Sequence, residues 1–490
     1  MNPALATRTD ERTEERRFQP KQRGEQHTPL EHLEALCDPG SLDLVRTSIA
    51  SRSARSAPGD GVVAGAGMVG GRPVYCYAQD QAFAGGSLGT AQAETICRVL
   101  ELAGRASAPV VGFIASGGAR IDEGTGALGG YGMIFRAHVA LSGRVPQISV
   151  ITGTSAGGGA YSPALTDFVV MVEGSRLFLT GPGVVEEVMG ESVTMDELGG
   201  TRVHSRNGVC DLVVPDDHAA SEAVRELLAH LPQSSSRRPA PSLPEEPLTG
   251  DPGAVVPQNQ RKVYDVRTVI RSISDRSSML ELSPKWARNM VTAFARLNGH
   301  PVGVIANQPR YLGGVIDAAA SEKASRFIDR CDAFGLPLVV LVDTPGFLPG
   351  TRQEGAGVIR HGAGLLHSFS AARVPKVTIV LRKAYGGGFI TMNSRTLGAD
   401  LVLAWPTSEI GVLGAKQAVG IIHRRAIEAA DDPETERDRL ADEYAEQHLR
   451  PDVAAGAGDV DEVIEPAATR ERLVWALAVL DGTDHERRQS

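Results

Sequence analysis

Short apolar runs rich in β-branched residues alternate along this chain with longer amphipathic stretches, a pattern that predicts strands joined by helices. Gly61 to Ala78 alternates around Gly70-Gly71 and predicts a hairpin. Thr90 to Gly104 puts Ile96, Val99, Leu100 and Ala103 on one helical face and leads into the apolar run Pro109 to Ala115, so a β-α-β unit is expected. The programme recurs later: strand Val302 to Ala306, helix Ala318 to Phe334, strands Leu338 to Val342 and Asp400 to Ala404. Met1 to about Gln26 breaks the pattern. It is densely charged, with too little apolar surface to fold alone, and residues 1–26 are expected to form a disordered arm. Thr28-Pro29 then opens a short docking helix reaching Leu36.

Two stretches share one design. Ile148 to Ile151 is an apolar run, followed by Thr152 to Ala156, Gly157-Gly158-Gly159 and Ala160-Tyr161-Ser162. Val377 to Leu381 is another, followed by Arg382 to Tyr385, Gly386-Gly387-Gly388 and Phe389 to Met392. Both read as strand, glycine turn, helix, and amides at a helix start have no partner inside the helix, which suits a negatively charged oxygen. Pro146 and Pro375 keep the same separation as the two glycine triplets. One residue less separates Gly71 from Gly299, Pro73 from Pro301, Gly85-Gly86 from Gly313-Gly314, Pro109 from Pro337 and Gly118 from Gly346. One register held through so many landmarks predicts two homologous halves, each with a glycine-lined anion site. The proline- and serine-rich stretch 231–258 reads as the linker between domains at 27–230 and 259–490.

Length supports the same count, since 490 residues exceed one ordinary core. The net charge of −9 argues against broad attraction to nucleic acid or to an anionic membrane. Cys37, Cys76, Cys97, Cys210 and Cys331 form no Cys-x-x-Cys pair, so neither a zinc ribbon nor a disulfide framework is expected, nor any metal. No apolar run reaches the ~20 residues of a membrane helix, and a cytoplasmic protein is expected. Asp431 to Gln447 reads as a charged, solvated helix.

Other motifs compete for the chemistry. Gly65-Ala66-Gly67-Met68-Val69-Gly70 has dinucleotide-fingerprint spacing, but Arg72 to Tyr77 continues as strand where that fingerprint requires a helix. Gly153-Thr154-Ser155-Ala156-Gly157 fits a nucleophile elbow, with His204 and His218 as candidate bases of a serine hydrolase. Against it, the second copy of the turn has Ala384 opposite Ser155. Ser116-Gly117-Gly118-Ala119-Arg120 combines glycine amides with a cation, which either salts a helix end or helps hold an anionic ligand.

The ordered words are Ser116-Gly117-Gly118-Ala119-Arg120-Ile121, Ala156-Gly157-Gly158 through Tyr161-Ser162-Pro163-Ala164, Ala306-Asn307-Gln308-Pro309, Asp343-Thr344-Pro345-Gly346-Phe347-Leu348-Pro349-Gly350, Arg360-His361-Gly362-Ala363, Lys383-Ala384-Tyr385-Gly386-Gly387 and Ala404-Trp405-Pro406-Thr407. Together they resemble the carboxyltransferase (beta) subunit of biotin-dependent acyl-CoA carboxylases of the propionyl-CoA or acetyl-CoA type. The resemblance spans about residues 28 to 480. It implies an α/β chain of two crotonase-like domains, each a β-β-α superhelix, with acyl-CoA on the N-terminal domain and biotin against the C-terminal one at a dimer interface. It further implies a homo-hexamer, a trimer of dimers, served by a separate biotin carboxylase and biotin carboxyl carrier (alpha) subunit.

The implied reaction moves a carboxyl group from carboxybiotin to the α-carbon of an acyl-CoA, or in reverse as a decarboxylase or transcarboxylase. Its two oxyanion holes map to Gly157 with Gly158 and to Gly387 with Gly388. Acyl-CoA contacts map to Ser116, Gly117, Gly118, Ala119, Arg120, Ala156, Tyr161 and Ile390, and biotin contacts to Gly346, Phe347, Tyr385 and Gly386. The chain has neither a Met-Lys pair for biotin attachment nor a Gly-x-x-x-x-Gly-Lys-[Ser/Thr] phosphate loop, so biotin and ATP are expected on another chain. Ile390 stands where many relatives carry aspartate, and Gly388 where alanine is usual, so a changed acyl pocket is expected. Gly183 and Glu186 replace an expected aspartate and lysine, which reads as surface variation.

Overall fold

The computed structural model describes residues 26–51, 57–248, 250–260 and 262–481. The arm expected over 1–26 therefore lies outside the described residues except for Gln26. The chain divides into two compact units, the break falling between Arg238 and Pro239. On either side, the polar stretch is tied to its own unit: Ser235 N donates to Arg144 O at 2.9 Å and Ser242 N to Gly299 O at 2.9 Å.

The first unit contains β1 (Asp43–Leu44), β2 (Val62–Val69), β3 (Arg72–Gln79), β4 (Val110–Ile114), β5 (Gln147–Ile151), β6 (Thr154–Ala156), β7 (Phe168–Val172), β8 (Arg176–Phe178) and β9 (Leu212–Val214). Its main sheet runs β1-β2-β3-β4-β5-β7-β9, antiparallel through β3 and parallel thereafter. Parallel strands covered on both faces must be apolar on both, and β4, β5 and β7 are buried at every residue. The helix Thr90–Ala106 packs Ile96, Val99, Leu100 and Ala103 into this core. At the chain's start Thr28 and Glu31 close a reciprocal capping box on the helix Pro29–Leu36. Its Leu33 and Leu36 are fully buried, each contributing about 1.5–3 kcal/mol.

The second unit has β10 (Leu280–Leu282), β11 (Met290–Leu297), β12 (His300–Asn307), β13 (Leu338–Thr344), β14 (Lys376–Tyr385), β15 (Leu401–Ala404), β16 (Glu409–Gly411) and β17 (Glu462–Val463). The order β10-β11-β12-β13-β14-β15-β17 repeats the first sheet strand for strand. Even the irregular ladders match. Thr154, Ser155 and Ala156 pair with Arg176, Leu177 and Phe178, as Lys383, Ala384 and Tyr385 pair with Glu409, Ile410 and Gly411. That second ladder carries β14 on to Tyr385, past the apolar run that ends at Leu381.

The repeat also fixes backbone conformation. Ala84 and Leu312 both take a left-handed φ, 50–51°, directly before the glycine pairs. A Cβ on Gly86 would sit 2.5 Å from Ala115 O, and one on Gly314 2.4 Å from Asp343 O. Each glycine thus lets the chain pass against the end of the central strand, an approach that a side chain would block. Among the described residues no helix is long and apolar enough to cross a membrane.

Candidate active site

In each unit a loop follows the central strand and forms one parallel bridge to the preceding glycine turn. In the first, Leu88 N donates to Gly118 O at 2.8 Å and Arg120 N to Leu88 O at 2.9 Å. In the second, Ile316 N donates to Gly346 O at 2.9 Å and Leu348 N to Ile316 O at 2.8 Å. The residue between, Ala119 or Phe347, directs its own N–H away from the bridge. Neither amide has a hydrogen-bond partner among the described residues.

The second wall of each site is a helix start. Ala156 N donates to Ser116 O at 2.9 Å, fastening the glycine turn to the first loop. Gly157 adopts φ 57°, ψ −125°, a conformation reserved for glycine, and the helix Gly158–Ala164 begins after it. The Gly158 amide has no acceptor, as expected for a first helical residue. In the second unit the helix Gly386–Thr391 presents Gly387 exposed and Gly388 buried, 2.9 Å separating a Cβ on Gly388 from Gly346 Cα. The Gly387 amide is likewise without a partner. Each unit therefore offers free amides from two adjoining loops, Ala119 with Gly158 and Phe347 with Gly387.

Several expected roles change. Gly157 does not offer its amide, which donates to Phe178 O at 3.2 Å within the short-ladder region. Arg120 is almost fully buried, its Nη1 2.9 Å from Asp60 Oδ1 and 2.8 Å from Glu123 Oε1, so its charge is neutralised inside the fold and not offered to a ligand. Ser116 is also buried, bonded to Gly86 O at 3.0 Å and to Tyr131 Oη at 2.8 Å, and Gly118 is buried beside it. Gly117, Ala156, Tyr161 and Ile390 retain exposure, Tyr161 standing edge-on to Phe135. The hydrolase reading fails on geometry. Ser155 is fully buried, its hydroxyl 3.5 Å from Ile114 O, while His204 Nε2 faces Leu177 O and His218 lies near Glu222. Gly183 and Glu186 are exposed, in keeping with surface variation.

Supporting residues emerge around both sites, and for Tyr131 the sequence offered no signal. Tyr131, on the helix Thr125–Leu141, lays its ring over Gly158: a Cβ there would lie 2.5 Å from its Cγ. Under the second site Asp343, fully buried, meets Arg382 Nε at 3.0 Å and Lys383 Nζ at 4.0 Å. Burial raises the Asp343 carboxyl above its ordinary range, against the pull of Arg382 and Lys383. Tyr385, half-buried beside Gly386, donates its hydroxyl to Glu409. Burial and that carboxylate push the phenol up.

The carboxyl transferase domain family matches residues 20–489. The chain is 48% identical over 428 residues to the propionyl-CoA carboxylase carboxyltransferase subunit of Haloferax mediterranei, covering 86% of this chain and 83% of that one. It is 46% identical over 430 residues to the methylmalonyl-CoA decarboxylase subunit alpha of Propionigenium modestum, covering 87% and 83%. The crystal structure of transcarboxylase 12S, a hexamer with methylmalonyl-coenzyme A and methylmalonic acid bound, superposes with a TM-score of 0.90 at 44% identity over 98% of this chain and 95% of that one. The twin units are crotonase-like, and with both sites built from the same loops, this chain belongs to the carboxyl transferase family.

Proposed function

We propose that this chain is a carboxyltransferase subunit that moves a carboxyl group from biotin, carried on a separate biotin carboxylase and carrier partner, to the α-carbon of a short- or medium-chain acyl-CoA. The observation that carries the reading is the pair of free-amide sets, one per unit. Loss of the α-proton places negative charge on the thioester carbonyl oxygen, and the amides of Ala119 and Gly158 are the donors for it. When bound, biotin would supply the carboxyl group, with the charge left behind on its ureido oxygen, and would take the α-proton at the ureido nitrogen so freed. Phe347 and Gly387 fit that oxygen, since Gly387 is exposed and the Phe347 ring flanks it. Donors fixed by the fold need no reorganisation as charge develops, and one such donor is worth about 3 kcal/mol of barrier.

The relatives include a carboxylase, a decarboxylase and a transcarboxylase, which supports a set of donors able to serve either direction. Carboxylation is the reading adopted, with decarboxylation the alternative that the Propionigenium modestum relative supports. The hexamer of transcarboxylase 12S supports the same assembly here. Free thiols at all five cysteines fit a reducing, cytoplasmic setting.

Ile390 is 47% exposed on the helix that bears Gly387, and its apolar side chain is the candidate for contact with the acyl chain. With carboxybiotin and acetyl-, propionyl- and longer acyl-CoAs, the native chain is expected to carboxylate more than one length. Ile390→Asp shifts the ratio of kcat/KM values several-fold away from the longer chains, because a carboxylate beside a methylene chain is costly to desolvate. An unchanged profile removes Ile390 from the pocket, and no carboxylation of any acyl-CoA counts against the function itself.

A further inference from the structure

His27, His32 and Asp217 converge from two separate parts of the first unit. His27 precedes the capped helix Pro29–Leu36, His32 lies on the buried side of that helix, and Asp217 opens the helix Asp217–His230. Their ligand-capable atoms all lie within 4.8 Å of one another, the one such group of three among the described residues. His32 is 4% exposed and Asp217 7%. Nδ1 of His27, Nδ1 of His32 and Oδ1 of Asp217 are all buried with no hydrogen-bond partner. Leaving a buried polar atom unmet costs about 1–3 kcal/mol, and three meet here.

The surroundings hold these groups in place. Asp217 Oδ2 accepts the His27 amide at 3.0 Å, which leaves Oδ1 free. The His32 ring stacks on Phe113 with centroids 4.8 Å apart, and His27 meets His32 edge-on at 5.4 Å. Two imidazoles and one carboxylate form a borderline donor set suited to zinc, with a water completing four ligands. Zinc–donor bonds of about 2.0–2.2 Å draw the three side chains closer together on loading.

We propose that His27, His32 and Asp217 bind one divalent transition ion, zinc by donor chemistry, as a structural staple. It pins the helix Pro29–Leu36 to the helix Asp217–His230. Through His32 on Phe113 it also backs β4, the strand that delivers the Ala119 loop. None of the three ligands belongs to a free-amide loop, and the ion takes no part in the chemistry.

The test uses the full chain, free of any affinity tag and stripped with chelator, titrated with zinc alone by calorimetry and followed by thermal melting. One equivalent per chain is expected, with a raised Tm. His27→Ala and Asp217→Asn each weaken binding at least tenfold, about 1.4 kcal/mol. His218→Ala, an exposed histidine on the same helix, leaves it unchanged. His27 is only half-buried, so its variant carries the test if Asp217→Asn unfolds. Absence of a saturable equivalent tighter than about 10 µM overturns the proposal. So does undiminished binding in His27→Ala.

Discussion

Gly158→Ala is expected to lower kcat for carboxyl transfer by about 10²-fold or more, within the range seen when one oxyanion donor is lost. The new Cβ would lie 2.5 Å from Cγ, 2.6 Å from Cδ2 and 2.7 Å from Cδ1 of Tyr131. That ring cannot easily retreat, for it is 5% exposed and its hydroxyl is 2.8 Å from the fully buried Ser116. The glycine turn must move instead, carrying the Gly158 amide off its aim. Overpacking of this kind also costs about 1–3 kcal/mol of stability. KM for acyl-CoA should change less than kcat, since the contacts to the rest of the substrate survive. Gly387→Ala is the steric contrast: its methyl meets Phe347 Cδ2 at 3.6 Å, an ordinary contact, and its Tm should stay near the native value. Native kcat in Gly158→Ala would remove that amide from the mechanism.

Arg382→Met is the second large effect, expected to cost about 3–5 kcal/mol at neutral pH, because it strips the near partner from a fully buried carboxylate. Asp343 then keeps Lys383 at 4.0 Å and the buried Tyr264 hydroxyl, but no nearer cation. The pH dependence follows from the direction of the Asp343 shift. Its carboxyl is already raised by burial, and without Arg382 it rises further. A raised folded-state value means that the native chain binds the proton more tightly than the unfolded one. The variant's stability is therefore highest below the unfolded carboxylate range and falls as pH climbs through the raised value. Chemical denaturation across pH checks this. A deficit that grows toward acid, or none at all, contradicts the assignment of Asp343 as the stranded charge.

The sequence made the fold legible wherever pattern and repeat agreed. The helix at Thr90 and the strands at Val110 and Leu338 follow from apolar periodicity, and the landmark register exposed the duplicated sheet, because equivalent turns need equivalent glycines. The helix Thr125–Leu141 was not legible. Gly126, Gly129, Gly130 and Gly132 dilute its pattern, yet Gly130 is what lets it approach Ala93, a Cβ there falling 2.8 Å from that methyl. Gly158 and Gly387 stood out as helix-start amides, but sequence could not show that Phe178 O occupies the amide of Gly157. Nor could it show that Arg120 spends its charge on Asp60 and Glu123. Those outcomes depend on Asp60, 60 residues before Arg120, and on Phe178, across the short ladder from Ala156, which no local pattern encodes.

The most direct measurement mixes the purified chain with methylmalonyl-CoA and free biotin and follows propionyl-CoA. If the twin amide sets carry carboxyl transfer, propionyl-CoA forms at a rate that depends on biotin, and Gly158→Ala lowers that rate about 10²-fold. Tight binding of the acyl-CoA with no biotin-dependent loss of its carboxyl group would contradict the account.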